Sequence, residues 1–268
     1  MARTKEKKKS KVGDIIYTIL IIILLLIMGF SAFKVYTIYS KYKKGTDVYN
    51  EIAEDVGADE PAVDLDTRLN LDWDKLKGRN SDVQAWMRSV GTLINYPVVK
   101  GRDNDYYLNH LMDGTVNDKG TLFIDMYCEH PFEDFLTIIY GHRMRDESMF
   151  CTLGEYFEER DTPYFLEHPV IEFYTPEQDY DLEIFGAAVI DSRDGSKYNF
   201  SLYEETAIEE YIDWIFTHNE LYGYDNRVSV VPTDHIVMLS TCTLRGSAND
   251  DNRVVVWGKL TPVNRKDN

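Results

Sequence analysis

Ile15 to Phe33 is a run of nineteen residues without a charge, opening IIYTILIIILLLIMGF, and no other feature restricts the chain as much. As a helix it reaches about 28 Å at 1.5 Å per residue, close to the ~30 Å hydrocarbon core of a bilayer. A buried soluble helix with this composition would need an apolar partner on every face. An uncleaved membrane anchor is therefore the expectation. A cleaved signal peptide is the alternative: Gly29, Ser31 and Ala32 supply small residues for processing, although a signal's apolar region usually spans only ~7 to 15 residues. Lys5, Lys7, Lys8, Lys9 and Lys11 precede the run, while Lys34, Lys41, Lys43 and Lys44 follow it, a bias that favours a cytoplasmic N-terminus. The expected organisation is a basic cytoplasmic tail over 1–14, an anchor over 15–33, a juxtamembrane stalk over 34–70 with no function of its own, and an extracellular folded domain over 71–268.

Charge separates the same parts. Residues 1–44 hold ten of the 29 Lys and Arg and two of the 46 Asp and Glu, which leaves the remainder at −25. A body that acidic repels phosphate backbones and argues against nucleic-acid binding. It is also 44% hydrophobic over the whole chain, too apolar for disorder. From Leu71 to Val90 apolar residues recur at near-helical spacing around Gly78 to Asn80, which predicts two short helices. Beyond them short β-prone runs alternate with turn signals: Leu93 to Lys100, Thr121 to Met126, Phe135 to Tyr140, Val170 to Tyr174, Tyr180 to Ile190, His235 to Thr241 and Arg253 to Val263. The fold class is mostly β, an antiparallel sheet or barrel with peripheral helices. Helices are expected over Glu147 to Glu159 and Ser201 to His218, the second with Ser201 and Glu204 spaced as a capping box.

Three Cys in a body placed outside the membrane is an odd count, so one thiol is left over where thiols tend to pair. Cys242 ends a β-prone run amid small hydroxyl residues, Ser240-Thr241-Cys242-Thr243; it is either a displayed nucleophile or a buried core thiol. Among the six His, only His142 lies between a strongly β-prone run and a glycine turn, in Tyr140-Gly141-His142. Arg253 opens the last strand eleven residues after Cys242, a spacing that suits a hairpin with the two side by side. Cys128 and Cys151 are left open between a disulfide, free thiols and metal ligation. Cys128 with His130 makes half a zinc site without a second pair, and Asp103 with Asp105 opens a calcium-type loop that Tyr107 and Leu108 break, so no metal is expected.

At these residues a resemblance becomes specific. Met238-Leu239-Ser240-Thr241-Cys242 resembles the sortase signature TLxTC, with Met in place of the first Thr, Tyr140-Gly141-His142 resembles the family's histidine motif, and Arg253 stands where its arginine follows the Cys. Asn95 to Lys100, Asp105 to Leu108 and the helix Ser201 to His218 resemble class B sortases in particular, over about Leu71 to Leu260. The resemblance implies a sortase-like closed β-barrel with N-terminal helices and a long helix before the Cys-bearing strand. It implies a transpeptidase that cuts a sorting signal after Thr through a Cys242 thioester and passes the protein to a cell-wall amine. His142 would carry protons, Arg253 would stabilise the oxyanion, and Asn95, Val99 and Ser240 would line the signal's groove; no cofactor is implied. The implied partners are surface proteins with LPxTG-like or NPxTN-like signals, a peptidoglycan precursor amine, and the bilayer through residues 15–33. The competing readings are a pilin polymerase, a cell-wall cysteine peptidase in which water resolves the thioester, and a membrane-tethered binding module in which Cys242 is structural.

Overall fold

The computed structural model describes residues 11–59, 68–195, 198, 202–242 and 251–264. The chain forms two compact units, Met1–Lys44 and Gly45–Asn268. In the first, helix α1 (Lys11–Val56) is solvent-exposed over residues 13–41 and is long and apolar enough to cross a membrane. The second unit begins within the same helix, at Gly45. Tyr49, Ile52, Ala53 and Val56 recur at the i, i+3, i+4, i+7 spacing of a core-facing stripe, and all four are buried. The segment expected as a stalk up to residue 70 therefore supplies core residues from 45 onward.

The second unit continues with α2 (Trp73–Arg79), β1 (Val83–Arg88), β2 (Asn95–Val99), β3 (Leu122–Ile124), β4 (Leu136–Tyr140), α3 (Tyr164–Glu167), β5 (Val170–Tyr174), β6 (Asp179–Asp191), α4 (Glu205–Thr217), β7 (Ile236–Cys242) and β8 (Asn252–Val263). The strands close into a barrel in the order β1-β2-β3-β4-β7-β8-β6-β5, with β5 returning to β1. Six of the eight neighbouring pairs are antiparallel; β2/β3 and β4/β7 are parallel. A parallel pair needs a long crossover, and the two crossovers, residues 100–121 and 141–235, frame the candidate site.

The barrel is buried on both faces along much of its wall. Ile208, Tyr211, Ile212 and Ile215 of α4 pack outside it on Leu136, Ile138, Ile236, Met238, Val255 and Trp257. The intervening Val237, Leu239 and Val256 alternate to the other face and are equally buried. Double-sided burial also explains where the structure departs from the expected helices. Val83 to Arg88 is a strand, not a second short helix, because Val83, Ala85, Trp86 and Met87 are all buried and show no period of two. The expected helix Glu147 to Glu159 reduces to a 3-10 segment, Cys151–Phe157, after Glu147 and Met149 take positive φ values of 64° and 57°. Helix α4 starts at Glu205 with Glu204 at its cap and no capping bond from the Glu204 side chain; Ser201, the other member of the expected capping box, lies outside the described residues.

Candidate active site

Strand register assembles the site. Along the parallel β4/β7 pair, Leu136 faces Ile236 and the ladder runs to Tyr140 opposite Ser240. One residue on, the Gly141 N–H donates to the Ser240 carbonyl at 3.1 Å, and the next residues are His142 and Cys242. On the other side of β7, Cys242 pairs with Arg253 of β8. The backbones of His142, Cys242 and Arg253 thus come together at one end of three adjacent strands.

His142 is half-buried and its Nε2 lies 2.7 Å from the Leu108 carbonyl oxygen. A carbonyl only accepts, so Nε2 carries the hydrogen and Nδ1 is the other nitrogen of the ring. The loop that follows folds back on it: the Phe150 N–H donates to the His142 carbonyl at 2.9 Å, and Arg143 bridges Met149. Gly141 has no room for a side chain, since a Cβ there would lie 2.5 Å from Leu122 Cδ2 and 2.6 Å from Phe150 Cδ2. Gly141→Ala is expected to destabilise the protein by about 1–3 kcal/mol through overpacking and to lower peptide turnover more than stability alone explains, because Phe150 must shift. Urea unfolding and steady-state kinetics on the same variant check both; unchanged kinetics would detach the Phe150 contact from His142.

Arg253 is half-buried, and its Nη1 donates to the Asn252 carbonyl at 3.0 Å. Beside it, the Tyr140 hydroxyl donates to Asp125 Oδ2 at 2.7 Å, and the same oxygen accepts from Asn104 Nδ2 at 3.1 Å. Burial and the Asp125 carboxylate push the Tyr140 phenol far up, against a smaller downward pull from Arg253, so it stays a donor. The Tyr140 ring stacks on Tyr198 with centroids 6.3 Å apart, and the Tyr198 hydroxyl lies 3.1 Å from Ser240 Oγ.

The three residues expected to line a groove have structural partners. Asn95 Oδ1 accepts from Trp86 Nε1 and its Nδ2 donates to the Ala58 carbonyl, both at 2.7 Å. Val99 is fully buried, and Ser240, also buried, is the one that adjoins the His142 and Cys242 strand ends. Cys128 and Cys151 are free thiols. Burial pushes the Cys128 thiol up to about 11, which leaves it inert as a nucleophile. Sequence reasoning missed the Leu108 carbonyl, Asp125 and Tyr198. A main-chain oxygen carries no signature in the sequence, whereas Tyr140 stood inside the histidine motif already singled out.

Comparison with known proteins finds relatives over most of the chain. The family described as Sortase domain matches residues 89–261. Sortase B of Listeria monocytogenes is 32% identical over 185 residues, 69% of this chain and 72% of that protein. Sortase B of Staphylococcus aureus is 28% identical over 191 residues, 71% of this chain and 75% of that one. Among solved structures, a Staphylococcus aureus sortase B–substrate complex superposes with a TM-score of 0.70 at 24% identity, covering 84% of this chain and all (100%) of that one, a likeness of fold. Sortase B from B. anthracis in complex with AAEK1 gives 0.68 at 27% identity, with 84% and 100% covered.

Proposed function

Because this chain belongs to the sortase family and, within it, to class B, we propose that it is a membrane-anchored cysteine transpeptidase that cleaves a C-terminal sorting signal after Thr and joins the Thr carbonyl to a cell-wall amine. The anchor is the apolar part of α1, with the N-terminus cytoplasmic and the barrel outside. Cys242 as thiolate attacks the Thr carbonyl carbon; the C–N bond breaks as His142 gives a proton to the departing amine, leaving a thioester. The incoming amine attacks the thioester, neutral His142 takes its proton, and the C–S bond breaks to restore the thiolate. With Nε2 engaged by Leu108, Nδ1 is the nitrogen that exchanges these protons. Arg253 offers fixed donors to the oxyanion that forms in each step. Ser240, with Tyr198 above it, serves as groove floor; Asn95 and Val99 act behind it by holding the strands.

One observation carries the reading: Cys242 is register-paired with Arg253 and lies one strand from the residue that follows Gly141. The test is product analysis of the full chain in detergent with libraries of LPxTG-like and NPxTN-like peptides, with and without an added primary amine. The expected result is cleavage after Thr, a ligated product when amine is present, and an acyl adduct whose mass maps to Cys242. Hydrolysis alone, whatever the amine, would make the protein a cell-wall cysteine peptidase. No product and no adduct would leave a tethered binding module.

A further inference from the structure

Lys119 lies in the β2–β3 crossover, and its side chain is 1% exposed. Burying an ammonium is costly unless every donor is matched, and here all three are. Nζ lies 2.8 Å from each of Thr46 Oγ1, Ser148 Oγ and Asp146 Oδ2. Burial alone would raise the Asp146 carboxyl, but the bonds from Lys119 and Ser148 outweigh it and hold the group below its usual value.

The three acceptors come from two places. Thr46 belongs to α1, within the second unit, and Asp146 and Ser148 belong to the loop whose Phe150 N–H closes on the His142 carbonyl. Lys119 itself lies in the crossover that presents Leu108 to His142 Nε2. Both segments that touch His142 are therefore tied to one ammonium. One turn along α1, the Tyr49 hydroxyl donates to the Gly120 carbonyl at 2.5 Å and lies 3.0 Å from Thr121 Oγ1, which donates to the His110 carbonyl at 2.9 Å. The Thr121 N–H donates to the Tyr107 carbonyl at 2.9 Å, next to Leu108. Gly120 makes that approach possible: its φ is +59°, and a Cβ would sit 2.4 Å from the Tyr107 oxygen.

We propose that Lys119, clamped by Thr46 of α1, is a positioning residue for His142, fixing at once the carbonyl that orients the imidazole and the loop that holds its backbone. The proposal rests on His142 carrying protons in the transpeptidase reading. A residue 1% exposed that only stabilised the fold would change unfolding and leave the imidazole's orientation alone.

The experiment compares full-length parent, Lys119→Met, Thr46→Val and His142→Ala in detergent, each assayed well below its own unfolding temperature. Lys119→Met is expected to lower kcat about 100-fold, as a displaced catalytic group does, with KM within about twofold because ground-state binding is untouched. Thr46→Val, which removes one of three acceptors, is expected to lower kcat about 3- to 10-fold. Histidine-selective 15N spectra should give one tautomer for His142 in the parent, hydrogen on Nε2, and a mixture in Lys119→Met. If Lys119→Met does not fold, Thr46→Val decides by the same two readouts. Parent-like kcat and a single tautomer in a folded variant, while His142→Ala is impaired about 100-fold or more, would overturn the positioning role alone. Parent-like turnover in His142→Ala would instead overturn the reading on which it rests.

Discussion

Cys242→Ala is expected to abolish acyl transfer, lowering turnover of a sorting-signal peptide by roughly 10⁴-fold or more, the scale seen when a covalent nucleophile is removed from a cooperating set. No other thiol takes over: Cys128 is buried with its thiol pushed up to about 11, and Cys151 opens the 3-10 segment after the His142 loop, not at the end of β7. The partners should rank below the nucleophile. His142→Ala removes proton transfer, worth about 10²–10⁴-fold, and Arg253→Lys keeps the charge but loses the planar fork, at about 10²–10³-fold if the fork serves the oxyanion. Single-turnover assays with mass detection of the Cys242 adduct separate the three. The alanine variant forms no adduct, whereas the other two form it slowly. Turnover of Cys242→Ala equal to the parent's would defeat the nucleophile assignment, since no route through a thioester would remain.

The candidate site was legible from sequence because its members sit in short motifs at strand ends. A β-prone run followed by Gly-His, or one ending in Ser-Thr-Cys, locates a residue along a strand, and the spacing to Arg253 fits a hairpin that the register bears out. Strand β5 was legible residue for residue, since Pro169 and Pro176 bracket a short run of mostly β-forming residues. Strand β1 was not: Val83, Trp86 and Met87 stand at i, i+3 and i+4, a helical spacing, and with both faces covered the strand shows no alternation to set against it. The buried stripe of Tyr49, Ile52, Ala53 and Val56 has the spacing of a core-facing helix, yet the segment around it is polar with only scattered apolar residues, which reads as a juxtamembrane stalk. Lys119 was hidden for a different reason. Buried lysines are rare, so the residue type alone suggests a surface position, and only the meeting of α1, the crossover and the His142 loop shows otherwise.

Arg88→Met is expected to produce a loss of stability as large as that of truncating a fully buried aromatic side chain. Arg88 of β1 and Glu172 of β5 face each other in register across the seam that closes the barrel. Their side chains are 3% and 1% exposed, and Arg88 Nε donates to Glu172 Oε2. Oε2 also accepts from the Tyr174 hydroxyl at 2.8 Å, and that hydroxyl accepts the Leu69 N–H at 3.1 Å, so the carboxylate anchors the chain entering α2 as well as the seam. Removing the guanidinium leaves a carboxylate buried with one neutral donor, a loss of about 3–5 kcal/mol. For a domain of this size that is a fall of roughly 6–20 °C in unfolding temperature. The pair as a whole contributes far less than either half, because its attraction mostly offsets desolvation of two charges. Arg88→Met combined with Glu172→Gln should therefore recover more than half of the loss, since the amide is neutral and its oxygen still accepts from Tyr174. Urea unfolding of the two variants and the parent supplies the comparison. A double variant no more stable than Arg88→Met would mean that the guanidinium stabilises the seam by packing and not by neutralising Glu172.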